Sequence, residues 1–119
     1  MADKTEQFGN RIMLTGVVSN KQLRSTATGK DVLNVYVRTK TSRGSFFGIG
    51  VEFWGDRAKA INRQLANFLP DVEDGERIQE NDSVVVTVEG ELKENSWEDR
   101  EGNKRSRFLL AGEKLSVED

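Results

Sequence analysis

A chain of 119 residues, 35% of them hydrophobic, can bury one modest core and has no room for a second independent domain. It contains neither cysteine nor histidine, which excludes disulfides, thiolate nucleophiles, imidazole bases and the usual zinc and haem ligands together. The formal net charge is −2, yet ten basic residues stand against three acidic ones from Asn10 to Arg63, a local balance of +7, and three against twelve from Gln64 to Gly102, a balance of −9. A phosphate backbone feels a local patch rather than a total, so a basic face stays open to this chain. No apolar run approaches the roughly 18 residues of a membrane-spanning helix, and the start Met1 to Asn10 is polar where a signal peptide needs an apolar stretch. A soluble, cytoplasmic protein with no membrane partner is expected.

Residues 1–9 carry little apolar material and are expected to form a flexible arm, with the ordered domain spanning 10–119. In Arg11 to Val18 the side chains Ile12, Leu14 and Val18 alternate with Arg11, Met13, Thr15 and Val17, the pattern of a half-buried strand with Gly16 as a kink or bulge. The polar stretch Ser19 to Lys30, with a turn at Thr28 and Gly29, leads to a second strand, Val32 to Lys40, whose Leu33, Val35 and Val37 oppose Asn34, Tyr36, Arg38 and Lys40. After a loop at Thr41 to Ser45, the third strand, Phe46 to Trp54, sets Phe47, Ile49, Val51 and Phe53 inward, with Phe46, Gly48, Gly50, Glu52 and Trp54 outward. Gly55 breaks this strand. Asp56 is the expected N-cap of an amphipathic helix in which Ala58, Ile61, Leu65, Phe68 and Leu69 recur at spacings of three and four up to Pro70.

An acidic loop, 71–82, precedes a fourth strand from Ser83 to Trp97, in which Val84, Val86, Val88 and Leu92 alternate with polar neighbours. A charged turn around Gly102 leads to a fifth strand, Arg105 to Leu115, built on Phe108, Leu110 and their neighbours. Three strands, one helix and two more strands give an all-β class: a five-stranded Greek-key barrel of the OB-fold kind, with its one α-helix between strands 3 and 4.

The outward residues Tyr36, Arg38, Lys40, Phe46, Trp54, Lys93 and Trp97 mix rings with cations on one barrel surface. Every base offers a flat π face to a ring, at roughly 1–3 kcal/mol per base, while lysine and arginine track the phosphates. The competing reading makes Trp54 and Trp97 ordinary core or subunit-interface aromatics. Trp97 sits among Asn95, Ser96, Glu98 and Asp99, residues unsuited to a core, so it belongs on a projecting hairpin, 93–107, whose return arm carries Lys104, Arg105 and Arg107. The acidic loop lacks EF-hand spacing and converging rigid elements, so a solvated loop is favoured over a divalent-metal site. Without histidine there is no serine–histidine arrangement, and Gly48 and Gly50 lie inside a strand rather than opening a phosphate-binding helix. No catalytic residue, metal site or cofactor is expected.

Three stretches carry a resemblance: Asn10-Arg-Ile-Met-Leu-Thr-Gly16, Val51-Glu-Phe-Trp-Gly55 with the helix from Asp56, and Val88-Glu-Gly-Glu-Leu-Lys93 leading to Trp97 and Gly102. In these, the chain resembles the bacterial-type single-stranded DNA-binding proteins, including those of phages and plasmids, from about Asn10 to Val117. The resemblance implies an OB fold assembled as a homo-oligomer, usually a tetramer, that coats single-stranded DNA in DNA replication, recombination or repair without strong sequence preference or cofactor. By position it assigns Trp54 and Trp97 to base stacking and Arg24, Lys93 and Arg105 to the DNA path. Where the family often has a tryptophan after the second strand this chain has Arg43, and near its other third-strand tryptophan it has Phe46, Phe47 and Gly48. The acidic loop is longer than usual. The end Ser116-Val-Glu-Asp119 differs from the acidic, hydrophobic-tipped tail through which cellular members recruit enzymes, so recruitment by that route is not expected.

The leading expectation is thus a non-catalytic coat protein for single strands in a bacterial or phage-infected cell. An OB-type assembly factor of a replication or recombination complex, with weak nucleic-acid binding, is the alternative. Stacking faces do not sense a 2′-hydroxyl, so the pattern does not separate DNA from RNA.

Overall fold

The computed structural model describes residues 8–69 and 83–118. Most of the expected N-terminal arm and all of the acidic loop 71–82 lie outside the described residues. Five strands and one helix follow in the order β1 (Ile12–Ser25), β2 (Asp31–Lys40), β3 (Phe46–Trp54), α1 (Asp56–Leu65), β4 (Val84–Glu98) and β5 (Lys104–Glu118). The strands close into a barrel in the order β1-β2-β3-β5-β4, with β1 returning to β4. All neighbours are antiparallel except β3 and β5, which meet in parallel at Val51–Leu110 and Glu52–Ala111. This is the OB-fold barrel that the element order implies, with its helix between β3 and β4.

Period-two alternation fills the barrel. Val18, Leu33, Val35, Val37, Val51, Phe53, Val86, Val88 and Leu110 are buried inside it, and α1 adds Ala58, Ile61 and Leu65 to the same cluster. Fully burying a Val, Leu or Phe contributes about 1.5–3 kcal/mol each, so this layer is the main source of stability. Asp31, at the start of β2, ties the helix to the sheet. Its carbonyl accepts the Gly55 N–H at 2.9 Å, and its carboxylate accepts from the Ser25 hydroxyl at 3.0 Å and pairs with Lys59 of α1 at 3.3 Å. The Ser25 and Lys59 contacts hold that carboxyl below the usual carboxylate range.

Several local expectations are corrected. The first strand does not end at Val18 but continues to Ser25, because it pairs with β4 along Ile12–Val18 and with β2 along Val17–Ser25. The irregularity expected at Gly16 falls instead between Val18 and Lys21, where one strand is handed from one partner to the next. Lys21 emerges from it opposite the inward Val35 and is only 2% exposed, its amine donating to Asn62 Oδ1 on α1 at 2.8 Å. A lysine reads as solvent-facing in sequence; here a hydrogen-bonded partner lets it be buried. Asp56 is the first helical residue rather than the N-cap. That place belongs to Gly55, at φ 68°, a left-handed conformation a side chain would resist, so the chain can turn sharply from strand to helix. Phe47, Phe68 and Phe108 were expected among inward or helical core positions but are exposed: Phe47 and Phe108 lie where their strands run past the barrel, and Phe68 lies beyond the end of α1.

Truncating Phe53, whose ring is completely buried at the centre of the barrel, should cost about 3–5 kcal/mol. Denaturant unfolding of Phe53→Ala against the parent measures it; a loss below about 1 kcal/mol contradicts the core assigned to β3.

Candidate nucleic-acid interface

Strand parity decides which side chains share the outer surface. Along β2, Asn34, Tyr36, Arg38 and Lys40 point away from the core, and their β3 partners are Glu52, Gly50, Gly48 and Phe46. On the flank of β2, Gln22 of β1 lies opposite Asn34, and Arg24 opposite Val32, which itself pairs with Trp54. On the flank of β3, the Glu52–Ala111 pairing puts Leu109, Arg107 and Arg105 of β5 on the same face, and these pair with Lys93, Asn95 and Trp97 of β4. One surface therefore gathers residues from all five strands. Between β1 and β5 it is hollowed into a groove of about 650 Å³, bordered by Gln22, Arg24, Asn34, Tyr36, Glu52 and Arg107.

Tyr36 forms part of the groove floor. Its ring leans from β2 across Gly48 of β3, so that a side chain at position 48 would run into Cζ and Oη of the ring. With Gly50 directly opposite Tyr36, two bare backbone positions lie beside one half-exposed aromatic plane. At the hairpin end of the barrel the Arg38 guanidinium lies 6.0 Å from the centre of the Phe46 ring, and on the ribbon Arg107 lies 5.8 Å from the centre of Trp97. Such cation–π contacts hold rings and cations side by side and still leave Trp97 45% exposed. Lys40 stands beside Phe46, and Arg43 is at the tip of the β2–β3 turn closed by the Thr41 N–H to the Ser45 carbonyl at 2.8 Å.

Apart from Lys93, which pairs with Leu109 midway along the face, the expected site residues separate into two groups. Tyr36, Arg38, Lys40, Arg43, Phe46, Trp97, Arg105 and Arg107 lie toward the end where the β2–β3 hairpin and the β4–β5 ribbon project. Trp54 and Arg24 lie at the other end. Phe46 and Trp54 are eight residues apart on one strand, about 26 Å at the usual rise. Trp54 is 42% exposed, so neither tryptophan is a core residue of the single chain. Among the described residues Lys93 pairs with Glu52 at 3.3 Å and Arg105 with Asp99 at 3.0 Å. Exposed pairs of this kind contribute only about 0–1 kcal/mol, so an incoming phosphate can compete for either cation.

Asn20, Gln22, Asn34, Glu52 and Leu109 also border the groove and were missed as site residues. The outward parity of Asn34 and Glu52 was visible in the sequence, whereas Asn20 and Gln22 were assigned to a connection because β1 runs further than its apolar pattern. A second hollow, about 580 Å³, lies between α1 and the β1, β4 and β5 strands and is bordered by no aromatic ring. Among the described residues no group of three or more acidic side chains is arranged to hold a metal ion, and no helix is long and apolar enough to cross a membrane.

Two outcomes follow from this geometry. Gly48→Val should displace the Tyr36 ring while the barrel stays folded, seen as a changed tyrosine NMR environment; an unaltered ring signal contradicts the contact. Asp99 accepts the Asn103 N–H, the Arg105 guanidinium and the Glu101 N–H, which hold its carboxyl below the usual carboxylate range. Its contribution is present above the unfolded value and lost as pH falls through the lowered one. The ribbon turn should therefore keep its structure through the ordinary carboxylate titration and loosen only in stronger acid. The Asp99 carboxyl carbon shift against pH measures this, and a midpoint at or above the usual range contradicts it.

The sequence matches no protein-family model and no curated protein.

Proposed function

We propose that this protein is a non-catalytic binder of single-stranded DNA, coating exposed strands in replication, recombination or repair. The observation that carries the reading is the gathering on one barrel face of exposed rings (Tyr36, Phe46, Trp54, Trp97) and cations (Arg24, Arg38, Lys40, Arg43, Arg107) around one groove. Rings provide sequence-tolerant stacking and cations follow the backbone, the combination suited to single strands. The local positive balance of residues 10–63 offsets the net charge of −2, because four of those cations, Arg24, Arg38, Lys40 and Arg43, lie on or beside this face. The resemblance to bacterial and phage single-stranded DNA-binding proteins supports DNA as the polymer, a homo-oligomeric assembly and a place in the cytoplasm.

One observation favours a protein partner in addition. Met13, Val17 and Val85 are exposed on the outer surface of β1 and β4, with Val17 directly opposite Val85. None of the three borders the groove, although Val17 pairs with Arg38 of β2, and the strip suits contact between copies, or with another component in the assembly-factor reading.

Tryptophan emission should be quenched by oligo(dT) and not by a matched duplex. The effect should weaken with salt at a log–log slope of about −0.7 per phosphate engaged. Trp54→Ala and Trp97→Ala should each weaken binding by about 5- to 150-fold, from roughly 1–3 kcal/mol per stacked base, with the fold intact by circular dichroism. Unchanged affinity in the double variant overturns the stacking mechanism, and a folded parent that leaves oligo(dT) unbound favours the assembly-factor reading.

A further inference from the structure

The middle of the groove differs from its two ends. There Gln22, Asn34 and Glu52 form one cross-strand row over β1, β2 and β3, and all three border the groove. Asn34 makes no side-chain hydrogen bond among the described residues, although its side chain is partly exposed. Lys93 reaches this row and is held against Glu52. A carboxylate in the path of a polyanion repels phosphate, so a strand lying in this groove is driven to carry its backbone along the cationic margins and turn its bases toward the row. Two rings flank the row, Tyr36, two residues along β2 from Asn34 and seated on Gly48, and Trp54, two residues along β3 from Glu52; of the two, Tyr36 borders the groove. A base laid on that plane presents an edge to Asn34 and Glu52.

Resting on the single-strand reading above, we infer that this row reads the base seated on Tyr36 and selects cytosine or adenine, whose amine is at pyrimidine C4 or purine C6, over thymine or uracil. The amino groups at cytosine N4 and adenine N6 donate to a carboxylate, and asparagine both donates and accepts along an adenine edge. Thymine and uracil offer a carbonyl oxygen at the equivalent place, and two acceptors facing each other repel. Phe46 and Trp97 have no such row beside them and take any base, and Trp54, although next to Glu52 along β3, does not border the groove, so the preference is confined to the nucleotide on Tyr36.

The test compares oligo(dC) with oligo(dT) of equal length, above neutral pH and at one salt concentration, for the parent, Glu52→Gln and Asn34→Ala. The parent should favour oligo(dC) by about fivefold or more. Glu52→Gln, whose amide can donate to a thymine carbonyl as well as accept, should bring the ratio close to one, and Asn34→Ala should reduce it. Using the ratio removes the general gain in affinity expected when Lys93 loses its partner, since that gain is common to both oligomers. Equal parental affinities, or a ratio that neither variant changes, overturns the inference while leaving single-strand binding in place. Failure of the folded parent to bind either oligomer overturns the single-strand reading and this inference with it.

Discussion

Closure of the barrel by β1 is the constraint on which the rest of the molecule depends. One strand satisfies two neighbours in succession, β4 along Ile12–Val18 and β2 along Val17–Ser25, and the irregularity between Val18 and Lys21 lets it change partner. Closure leaves no exposed sheet edge along this stretch and encloses the aliphatic layer around Phe53. It also settles the outer surface. Once the inward residues of five strands are committed to the core, their outward neighbours are brought together whatever their separation in sequence.

Charge acts locally on that surface. The chain as a whole is slightly acidic, yet Arg38, Lys40, Arg43 and Arg107 lie toward one end of the groove, where two projecting arms flank it. Glu52 and Asp99 do not cancel this patch; each holds one neighbouring cation in a defined position, Lys93 across β3 and β4 and Arg105 along the ribbon. Because exposed pairs are weak, such cations remain exchangeable with an anion, whereas a carboxylate facing the groove disfavours a phosphate there.

Stacking surfaces need support as well as exposure. Tyr36 is held flat by the bare backbone at Gly48, while Phe46 and Trp97 are each accompanied by an arginine near the ring. The three differ in stiffness by construction: the first rests on the barrel, the others on a hairpin end and a two-stranded ribbon whose outer half is exposed throughout. Under the proposed single-strand reading, a rigid plane next to polar side chains would discriminate between bases, and planes on projecting arms would adapt to any base.

Strand order, the inward sets Leu33-Val35-Val37 and Val84-Val86-Val88, the position of the helix and the outward set Tyr36, Arg38, Lys40 and Trp54 were all legible from the sequence, because alternation at period two and recurrence at three and four are local properties. Other features depended on contacts between distant segments. The second half of β1 has no apolar alternation and exists because β2 is there to pair with it; Lys21 is buried because Asn62 meets it from α1; Phe47 and Phe108 keep inward parity but are exposed because their strands outrun the barrel. The sequence could therefore nominate rings and cations one strand at a time. Only the closed tertiary structure decided which of them share a groove, since that depends on the pairing of β1 with β2 and β4 and of β3 with β5, between residues as much as 78 positions apart, Ile12 and Gly90.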